Sequence, residues 1–424
     1  MSDYSETGAP KPLNPKGGKI AHGWPTVKSG NLFSFVTSGS RGWAKYYRDS
    51  GPLFLRVGNL DHDSVSLDLR DIQRVEPPAG AEGTRTKVHV SDILISVTAD
   101  VGMIGLVPST LGEAYINQHV ALARPLPTVH PPFLAWWLAS PRAQRQFRQL
   151  QRGATKVGLG LEDIRSVDVP FPSLPEQQRI VAEIEKQFTR LEVGVAALRR
   201  VQANLKRYRT SVLKAACEGR LVVSDLSAWR RLKVSEIGEA VTGNTPPTSD
   251  KGNLGDELPF FKPTDLDAGY NVRVARQYLS PKGAKLARVL PAGSVLVTCI
   301  GATIGKTGFA RLDCATNQQI NALVVNPKVA TPEWIFWSIQ SPDGQQQIKN
   351  NASATTLPIL NKSKFEALKL LVPPLAEQIQ IVAEVERRLS VVEELAAVVS
   401  ANLQRATRLR QAILEQAFTG KLTS

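Results

Sequence analysis

Two long stretches of the chain place apolar residues at the spacing of an α-helix. The apolar positions follow one another at steps of four and three residues: Ile184, Phe188, Leu191, Val195 and Leu198 in the first stretch, and Val385, Leu389, Val392, Ala396, Val399 and Leu403 in the second. Such steps are typical of a coiled-coil seam. They predict two helices of about forty residues, each roughly 60 Å long at a rise of ~1.5 Å per residue.

The residues around each stretch mark where these helices begin and end. Prolines stand just before both runs, and Glu176 and Glu377 then place negative charge in the first turn, where it opposes the helix dipole favourably. Gly219 and Gly420 close the runs as C-terminal caps, each followed by a basic residue. The sequence therefore predicts long spacer helices within 172–222 and 373–424.

The two stretches are copies of each other. Residues 172–221 align with 373–422 without a gap, from PSLPEQQRIVAEIE against PPLAEQIQIVAEVE to SVLKAACEGRL against AILEQAFTGKL. Upstream, DILIS matches SVLVT, Asn117-Gln118 matches Asn317-Gln318, and FLAWWLASP matches WIFWSIQSP. A repeat of this period predicts two tandem copies of one unit. The expected organisation is a flexible N-terminal segment over 1–23, a domain over 24–171, the central helix over 172–222, a second domain over 223–372 and the C-terminal helix over 373–424.

The two domains read as mixed α/β. Short β-rich runs such as DILISV, SVLVTCI and NALVVNP are bounded by Gly, Pro and Asn. One amphipathic helix is expected near the end of each domain, around 132–151 and 332–350. We expect its tryptophans to be core residues: Trp136, Trp137, Trp334 and Trp337.

The apolar seam of each long helix is expected to pack against another helix. The two helices could pair with each other in antiparallel fashion, giving a pseudo-two-fold molecule, or with helices of a second chain. Pairing within the chain is favoured because linked helices have a high effective concentration. Arg209 and Arg410 lie on the seam at equivalent positions. Each either fixes the register or meets a partner, at a cost in stability, or turns outward along its apolar stem.

Charge narrows the class of protein. The chain has 52 Lys and Arg against 38 Asp and Glu, a net charge of +14 that is spread along most of the sequence. A basic folded body suggests a polyanionic partner such as nucleic acid, the alternative being a soluble basic protein without one.

The absence of an 18-residue apolar run or an apolar signal core predicts a cytoplasmic protein with no membrane contact. Three scattered cysteines and five histidines without an HExxH pair predict no disulfide framework and no metal.

Catalytic motifs are incomplete. GATIGKT at 301–307 resembles a phosphate-binding loop, but Ile300 stands where its first glycine belongs, and the other copy reads VGMIGLV. A glycine turn between strands is the better interpretation. The Pro-Pro pairs at 246–247 and 373–374 precede Thr248 and Leu375, so neither supplies the aromatic residue of a base-flipping methyltransferase. Acidic residues clustered as in nucleases are not evident either, and the sequence predicts no active site.

With no active site predicted, the remaining interpretation is that the chain recognises DNA. A basic, aromatic loop follows an early strand of the first domain at 40–48. The candidate DNA-binding residues are Arg41, Trp43, Lys45, Tyr46, Arg48 and Arg56 in the first domain, and Asn244, Thr245, Lys262 and Thr264 in the second. Basic side chains meet phosphates or guanine edges, and rings lie against sugars or bases. The loops differ between copies far more than the helices do, as two different half-sites require. The alternative for 40–48 is an ordinary solvated turn.

The duplicated helix entries carry a resemblance to a known family. PEQQRIVAEIE and AEQIQIVAEVE each follow a domain, ending GATKVGLGLEDIRSVDVPFP or SATTLPILNKSKFEALKLLVPP, and this arrangement resembles the specificity subunit of type I restriction–modification enzymes. The resemblance covers the chain after residue 23. It implies two target-recognition domains, each reading one half of a split, asymmetric double-stranded DNA site, held apart by antiparallel helices. It also implies that two methyltransferase subunits dock on this scaffold and that restriction (translocase) subunits can join.

The same resemblance assigns the chemistry elsewhere. It implies adenine-N6 methylation with S-adenosylmethionine, and ATP and Mg²⁺ use, on partner subunits, with no cofactor on this non-catalytic chain. The candidate seam and docking residues are Ile184, Phe188, Leu191, Arg209, Val385, Leu389, Val392 and Arg410. Two other functions stay open: a fused methyltransferase or nuclease, against which the incomplete motifs count, and a duplicated DNA-binding scaffold or regulator without methyltransferase partners.

Overall fold

The structure is a computed structural model that describes residues 23–39, 41–151, 158–247, 249–352 and 357–422. It divides into two compact units: unit 1 is Met1–Leu198 with Ala401–Ser424, and unit 2 is Arg199–Ser400. Each unit holds one α/β domain, the first half of one long helix and the second half of another. The N-terminal segment predicted to be flexible lies outside the described residues, apart from Gly23.

The described residues of unit 1 form three small sheets. Its strands are β1 (Thr26–Lys28), β2 (Phe33–Ser38), β3 (Tyr47–Leu55), β4 (Gln73–Val75), β5 (Ile93–Ser96), β6 (Ile104–Leu106), β7 (Ala114–Ile116), β8 (Val120–Pro125) and β9 (Asp168–Pro170). The largest sheet is antiparallel with the order β2-β8-β5-β6, and the second has the order β4-β3-β7, in which β3 and β7 run parallel. Strands β1 and β9 pair antiparallel next to the start of the long helix.

Helices pack against these sheets and lead into the long helix. They are α1 (Ala81–Thr86), α2 (Pro131–Ala139), α3 (Pro141–Leu150), α4 (Leu161–Arg165) and α5 (Leu174–Cys217). Short 3-10 turns lie at Ser29–Leu32, Trp43–Tyr46 and Val57–Asn59. The buried strand Ile93–Ser96 packs into the same core as Phe133 and Trp137 of α2.

Unit 2 repeats the plan. Its strands are β10 (Arg230–Lys233), β11 (Gly238–Thr242), β12 (Leu254–Gly255), β13 (Leu258–Phe261), β14 (Tyr278–Leu279), β15 (Val295–Thr298), β16 (Thr307–Phe309), β17 (Ala315–Thr316), β18 (Ile320–Val325) and β19 (Lys369–Val372). The main sheet has the order β11-β18-β15-β16, the second sheet the order β12-β14-β13-β17 with β13 and β17 parallel, and β10 pairs with β19. The repeat predicted from the sequence is therefore present in the topology.

The helices of unit 2 correspond as well. They are α6 (Val234–Ile237), α7 (Pro281–Leu286), α8 (Pro332–Gln340), α9 (Pro342–Asn351), α10 (Lys362–Glu366) and α11 (Leu375–Ala417), with 3-10 turns at Leu226–Ala228, Lys251–Asn253 and Asp265–Asn271. In the described part of the chain, no helix combines the length and apolarity needed to cross a bilayer.

The helix predicted near the end of each domain is divided into two helices in the structure. The expectation of single helices over 132–151 and 332–350 is wrong, because each breaks at a serine followed by a proline. Ser140 and Ser341 are extended, and their side chains accept hydrogen bonds from the backbone of the next helix at 3.4 and 3.1 Å. Pro141 and Pro342 then occupy the first turn, where a missing N–H costs nothing. The Ser-Pro pair is thus an N-cap inside an apolar run.

A buried glutamine ties each long helix to its domain. The Gln177 amide donates to the Pro172 carbonyl at 2.9 Å and accepts from the His130 backbone at 2.9 Å. Gln378 does the same with Pro373 at 2.7 Å and Thr331 at 2.7 Å. Both glutamines are fully buried. The glutamine of the repeated entry string is therefore a joint between helix and domain.

The ends of the long helices match the prediction. Gly219 and Gly420 have φ angles of +66° and +72°, the left-handed conformation in which glycine is favoured. The next amides, of Arg220 and Lys421, reach back to the carbonyls of Ala215 and Gln416 at 2.8 and 3.0 Å. This is the hydrogen-bond pattern of a Schellman cap.

The seam residues face the core of each unit. In unit 1, Ile184 and Phe188 of α5 share a cluster with Leu414 and Phe418 at the end of the second long helix. In unit 2, Val385 and Leu389 of α11 share a cluster with Val212, Leu213 and Ala216. Within each unit the two helix halves run antiparallel, as the sequence predicted. The four predicted core tryptophans are all buried, at 7% exposure or less.

Candidate nucleic-acid interface

Three loops meet at one edge of each unit. In unit 1 the Gly39 amide donates to the Val120 carbonyl at 3.2 Å, and the Asn117 amide donates to the Leu55 carbonyl at 3.0 Å. These bonds join the end of β2, the end of β3 and the β7–β8 turn. We call this region, comprising Ser38-Gly39, Arg56 and Asn117–His119, loop edge 1.

Unit 2 has the same junction. The Gly243 amide donates to the Ile320 carbonyl at 3.0 Å, and the Asn317 amide to the Phe261 carbonyl at 3.3 Å. Loop edge 2 comprises Thr242–Thr245, Lys262 and Asn317–Gln319. The sequence repeat at Asn117-Gln118 and Asn317-Gln318 was the signal for this turn, and its place beside the candidate loops emerges only from the fold.

Glycine permits the loops to touch. A Cβ on Gly39 would lie 2.2 Å from the Asn117 carbonyl oxygen, and one on Gly243 would lie 2.3 Å from the Asn317 carbonyl oxygen. Both contacts are with backbone, which cannot swing away as a flexible side chain can. The glycines are therefore required by the close approach of two chain segments.

An arginine clamps the strand end in each edge. The Arg85 guanidinium donates to the Ser38 carbonyl and the Thr37 hydroxyl, both at 2.5 Å. In unit 2 the Arg288 guanidinium donates to the Thr242 carbonyl at 2.6 Å. Neither arginine was identified from the sequence, since nothing in the local pattern distinguishes it from other surface basic residues.

Asn244 serves the fold of loop edge 2. Its side-chain amide donates to the Leu286 carbonyl at 2.8 Å and accepts from the Arg288 backbone amide at 2.8 Å. Both polar atoms of this amide therefore hold the segment that follows α7, and the predicted contact of Asn244 with DNA stays a prediction. Its neighbour Thr245 is exposed, and the Thr245 hydroxyl donates to the Gln318 side-chain carbonyl at 2.7 Å.

The predicted basic loop at 40–48 is largely ordered structure. Ser40 lies outside the described residues, a 3-10 turn covers Trp43–Tyr46, and β3 begins at Tyr47. Trp43 is only 3% exposed, its ring stacks on Phe54 with a centroid distance of 5.4 Å, and its indole N–H donates to Glu82 at 2.8 Å. The expectation that this ring lies against a base or sugar is therefore wrong: Trp43 belongs to a core cluster.

The charged residues of the same segment differ in their surroundings. The Arg48 guanidinium pairs with Glu76 at 2.9 Å and donates to the Tyr47 carbonyl at 2.8 Å, so it is engaged within the hairpin. Arg41 and Lys45 are exposed, and the Lys45 ammonium lies 4.9 Å from the centroid of the half-buried Tyr46 ring. Arg41 and Lys45 are therefore accessible to a polyanion, and Arg48 is also exposed although it pairs with Glu76.

Arg56 and Lys262 occupy the same place in the two units. Each follows a strand that pairs in parallel, and its backbone amide donates to a buried side chain three residues on: Asn59 at 2.8 Å or Asp265 at 2.7 Å. The Arg56 side chain is 34% exposed beside Asp71, and the Lys262 ammonium lies 5.9 Å from the Phe260 ring. Both predicted residues therefore place a positive charge in their loop edge, with exposed Thr264 close to Lys262 in sequence.

The seam arginines cross from one helix to the other. Arg410 pairs with Glu192 of the opposite helix at 3.2 Å, lies 4.6 Å from the Phe188 ring centroid and donates to the Asp63 carbonyl of the domain. Its side chain is 16% exposed. Arg209 pairs with Glu393 at 3.4 Å and lies 5.8 Å from the Trp337 ring. Both arginines thus contact the opposite helix within their own unit, and a role in fixing the register stays a prediction.

The GATIGKT string forms the glycine turn that the sequence favoured. It connects β15 to β16, and Gly301 and Gly305 have φ angles of +96° and +84°. The Lys306 ammonium pairs with the Asp267 carboxylate at 2.5 Å. The lysine that made the string resemble a phosphate-binding loop is thus committed to an ion pair.

Two solved structures share this fold. A chain from a structure concerning complex assembly and conformational transition of the type I R-M system superposes with a TM-score of 0.76 at 22% identity, covering 96% of this chain and 100% of that one. The HsdS subunit from Thermoanaerobacter tengcongensis superposes with a TM-score of 0.54 at 22% identity, over 96% of this chain and 99% of that one. These superpositions extend over nearly the whole of this chain and of both solved chains.

Sequence comparison gives the family. The sequence model described as type I restriction modification DNA specificity domain matches residues 82–195 and 227–390, once in each unit. The StySPI specificity subunit of Salmonella potsdam and the EcoKI specificity subunit of Escherichia coli K12 are each 22% identical, over 96% of this chain and 91% of the relative. The chain belongs to the type I restriction–modification DNA specificity family, as the duplicated helix entries indicated.

Proposed function

We propose that this chain selects the DNA sequence for a type I restriction–modification complex, with unit 1 reading one half of an asymmetric split site and unit 2 the other. The supporting observation is a shared scaffold with unlike surfaces. Both loop edges have the same hydrogen-bonded junction, yet the residues around them differ: Thr98 and His119 in unit 1 are replaced by Ile300 and Gln319 in unit 2.

The basic side chains favour a DNA partner. Arg56 and Lys262 stand at equivalent points of the loop edges, and Arg41 and Lys45 add exposed charge in unit 1. Phosphate contacts of this kind supply affinity and position, whereas contacts to base edges supply specificity. The net charge of +14 is in keeping with such a role.

The long helices set the distance between the half-sites and dock the two methyltransferase subunits, while restriction subunits join the assembled complex. Supporting this part are apolar side chains that remain exposed along α5 and α11: Val193, Val201, Tyr208, Val391, Leu395, Val398 and Leu409. In unit 1 an open groove between the helix halves is lined by Leu191, Val195, Leu198 and Leu409. Exposed apolar stripes favour burial against partner helices.

The chemistry belongs to the partners in this proposal. Adenine-N6 methylation with S-adenosylmethionine takes place on the methyltransferase subunits, and the ATP- and Mg²⁺-dependent steps take place on the restriction subunits. This chain binds neither cofactor and acts by delivering a DNA sequence to subunits that do the chemistry. Base flipping is likewise assigned to the methyltransferase active site.

Sequencing of modified bases tests the proposal. DNA from cells that express this chain with a methyltransferase subunit of the same system should carry methyladenine at one split, asymmetric motif. The mark should vanish when either subunit is omitted. Methylation that persists without this chain would contradict the proposal, and a chain that forms no complex with the methyltransferase subunit would favour a DNA-binding scaffold working alone.

A further inference from the structure

The middle residue of the turn in each loop edge is a glutamine, Gln118 in unit 1 and Gln318 in unit 2. Building on the proposed function, we propose that each glutamine reads an adenine in the half-site bound by its own unit. The two residues would then be specificity determinants at the same place in two different readers.

The backbone that carries each glutamine is held on several sides. The Asn117 side chain accepts from the His119 amide at 3.0 Å, and the Asn317 side chain accepts from the Gln319 amide at 3.2 Å. The strand ends at Gly39 and Gly243 also pack closely against the backbone of these turns. A side chain can discriminate between bases only if its own backbone cannot shift to accommodate the wrong one. Both turns meet that requirement.

The side chains are accessible but braced. Gln118 is half-buried, and its amide nitrogen lies 2.9 Å from His119 Nε2, while His119 Nδ1 lies 2.5 Å from the Thr98 hydroxyl. Unit 2 lacks this series of side-chain hydrogen bonds, because Ile300 and Gln319 stand in place of Thr98 and His119. There the exposed Gln318 accepts a bond from Thr245 instead, at 2.7 Å. The contact in unit 1 engages the amide nitrogen of Gln118, and the contact in unit 2 engages the amide oxygen of Gln318.

A glutamine amide has two donor hydrogens and two acceptor lone pairs. The brace at Gln118 or Gln318 uses one of these, which leaves a donor and an acceptor side by side. That pair matches the N6 and N7 positions of adenine in the major groove, the bidentate contact in which Asn and Gln specialise. The Arg56 and Lys262 charges in the same edges supply phosphate contacts, which position the turn but read no sequence.

The experiment uses the complex of the full chain with its methyltransferase subunit. Modification sequencing should show that Gln118→Ala relaxes the preference for adenine at one position of one half-site, by roughly tenfold to a hundredfold. Gln318→Ala should do so in the other half-site. Gln149→Ala and Gln346→Ala alter exposed helical glutamines of units 1 and 2, and they should leave the motif unchanged.

Three results would overturn the inference: an unchanged motif in both turn variants, relaxation of both half-sites by one substitution, or relaxation at a base other than adenine. A variant complex that modifies no DNA is tested by selecting bound duplexes from a pool with randomised half-sites. An unaltered half-site preference in that pool also overturns it. If the wild-type complex itself shows no split motif, the proposed function fails; a wild-type motif with indifferent variants rejects only the role of the glutamines.

Discussion

Replacing Gln177 by alanine should strongly destabilise unit 1. The amide is fully buried and satisfies two backbone groups, the Pro172 carbonyl and the His130 N–H, each at 2.9 Å. Alanine leaves both groups without these partners, at about 1–3 kcal/mol each, so we expect a loss of about 2–6 kcal/mol in the free energy of unfolding. For a unit of this size such a loss lowers the midpoint of thermal unfolding by about 4–24 °C.

The neighbouring Gln178 provides the matched control. It is exposed on the same helical turn, and Gln178→Ala removes the same chemical group with similar helix propensity. Calorimetry of the purified full-length chain should therefore separate the two variants by several degrees. In unit 2, Gln378→Ala against exposed Gln380→Ala should give the same contrast. Equal midpoints for Gln177→Ala and Gln178→Ala would refute the assignment of the buried amide as the joint between helix and domain.

Three further substitutions test the seam and the loop edges. Arg410→Met removes the pairing with Glu192 and the bond to the Asp63 carbonyl, so we expect chemical denaturation to show a loss of about 1–3 kcal/mol in the free energy of unfolding. The control Arg408→Met alters an exposed residue and should change that free energy little. An unchanged free energy of unfolding for Arg410→Met would show that the arginine turns outward in solution. Arg56→Ala or Lys262→Ala should weaken DNA binding by the assembled complex and reduce the salt slope of log K by about 1 if the residue neutralises a phosphate. Titrations at several salt concentrations measure that slope, and a slope equal to wild type would remove the residue from the phosphate contacts.

Periodic features were predictable because they depend on many residues at once. The seam positions, the capping glycines and the repeated entry strings all sum information over long windows, and the structure has each of them. The break at Ser140-Pro141 was missed because a single Ser-Pro pair is outweighed by the apolar pattern on both sides of it. The buried Gln177 was missed for a related reason: a polar residue in a first turn reads as solvent-exposed until the domain packs against it.

The candidate interface was predictable only in part. Trp43 stands among basic residues in the sequence, and only the pairing of β3 with β4 and β7 shows that its ring lies inside. Arg56 and Lys262 were named separately, but their equivalence depends on matching LRVGNLD to FKPTDLD, which share few letters. Their common feature is geometric: a parallel strand end with a buried Asn59 or Asp265 three residues later.

The way the long helices are shared has a consequence for the order of synthesis. The rings of Phe133 and Trp137 contact Phe418, with centroid distances of 5.5 and 5.1 Å, so the core of unit 1 contains residues from the far end of the chain. At 5–20 residues per second, the roughly 280 residues that separate Trp137 from Phe418 take about 15–55 s to translate. Unit 2 is one continuous segment and has all its residues once Ser400 has emerged. Unit 1 contains the residues that are synthesised first, but it is the last unit to complete its core. Its apolar surface therefore stays uncovered until the last turns of the C-terminal helix have been synthesised.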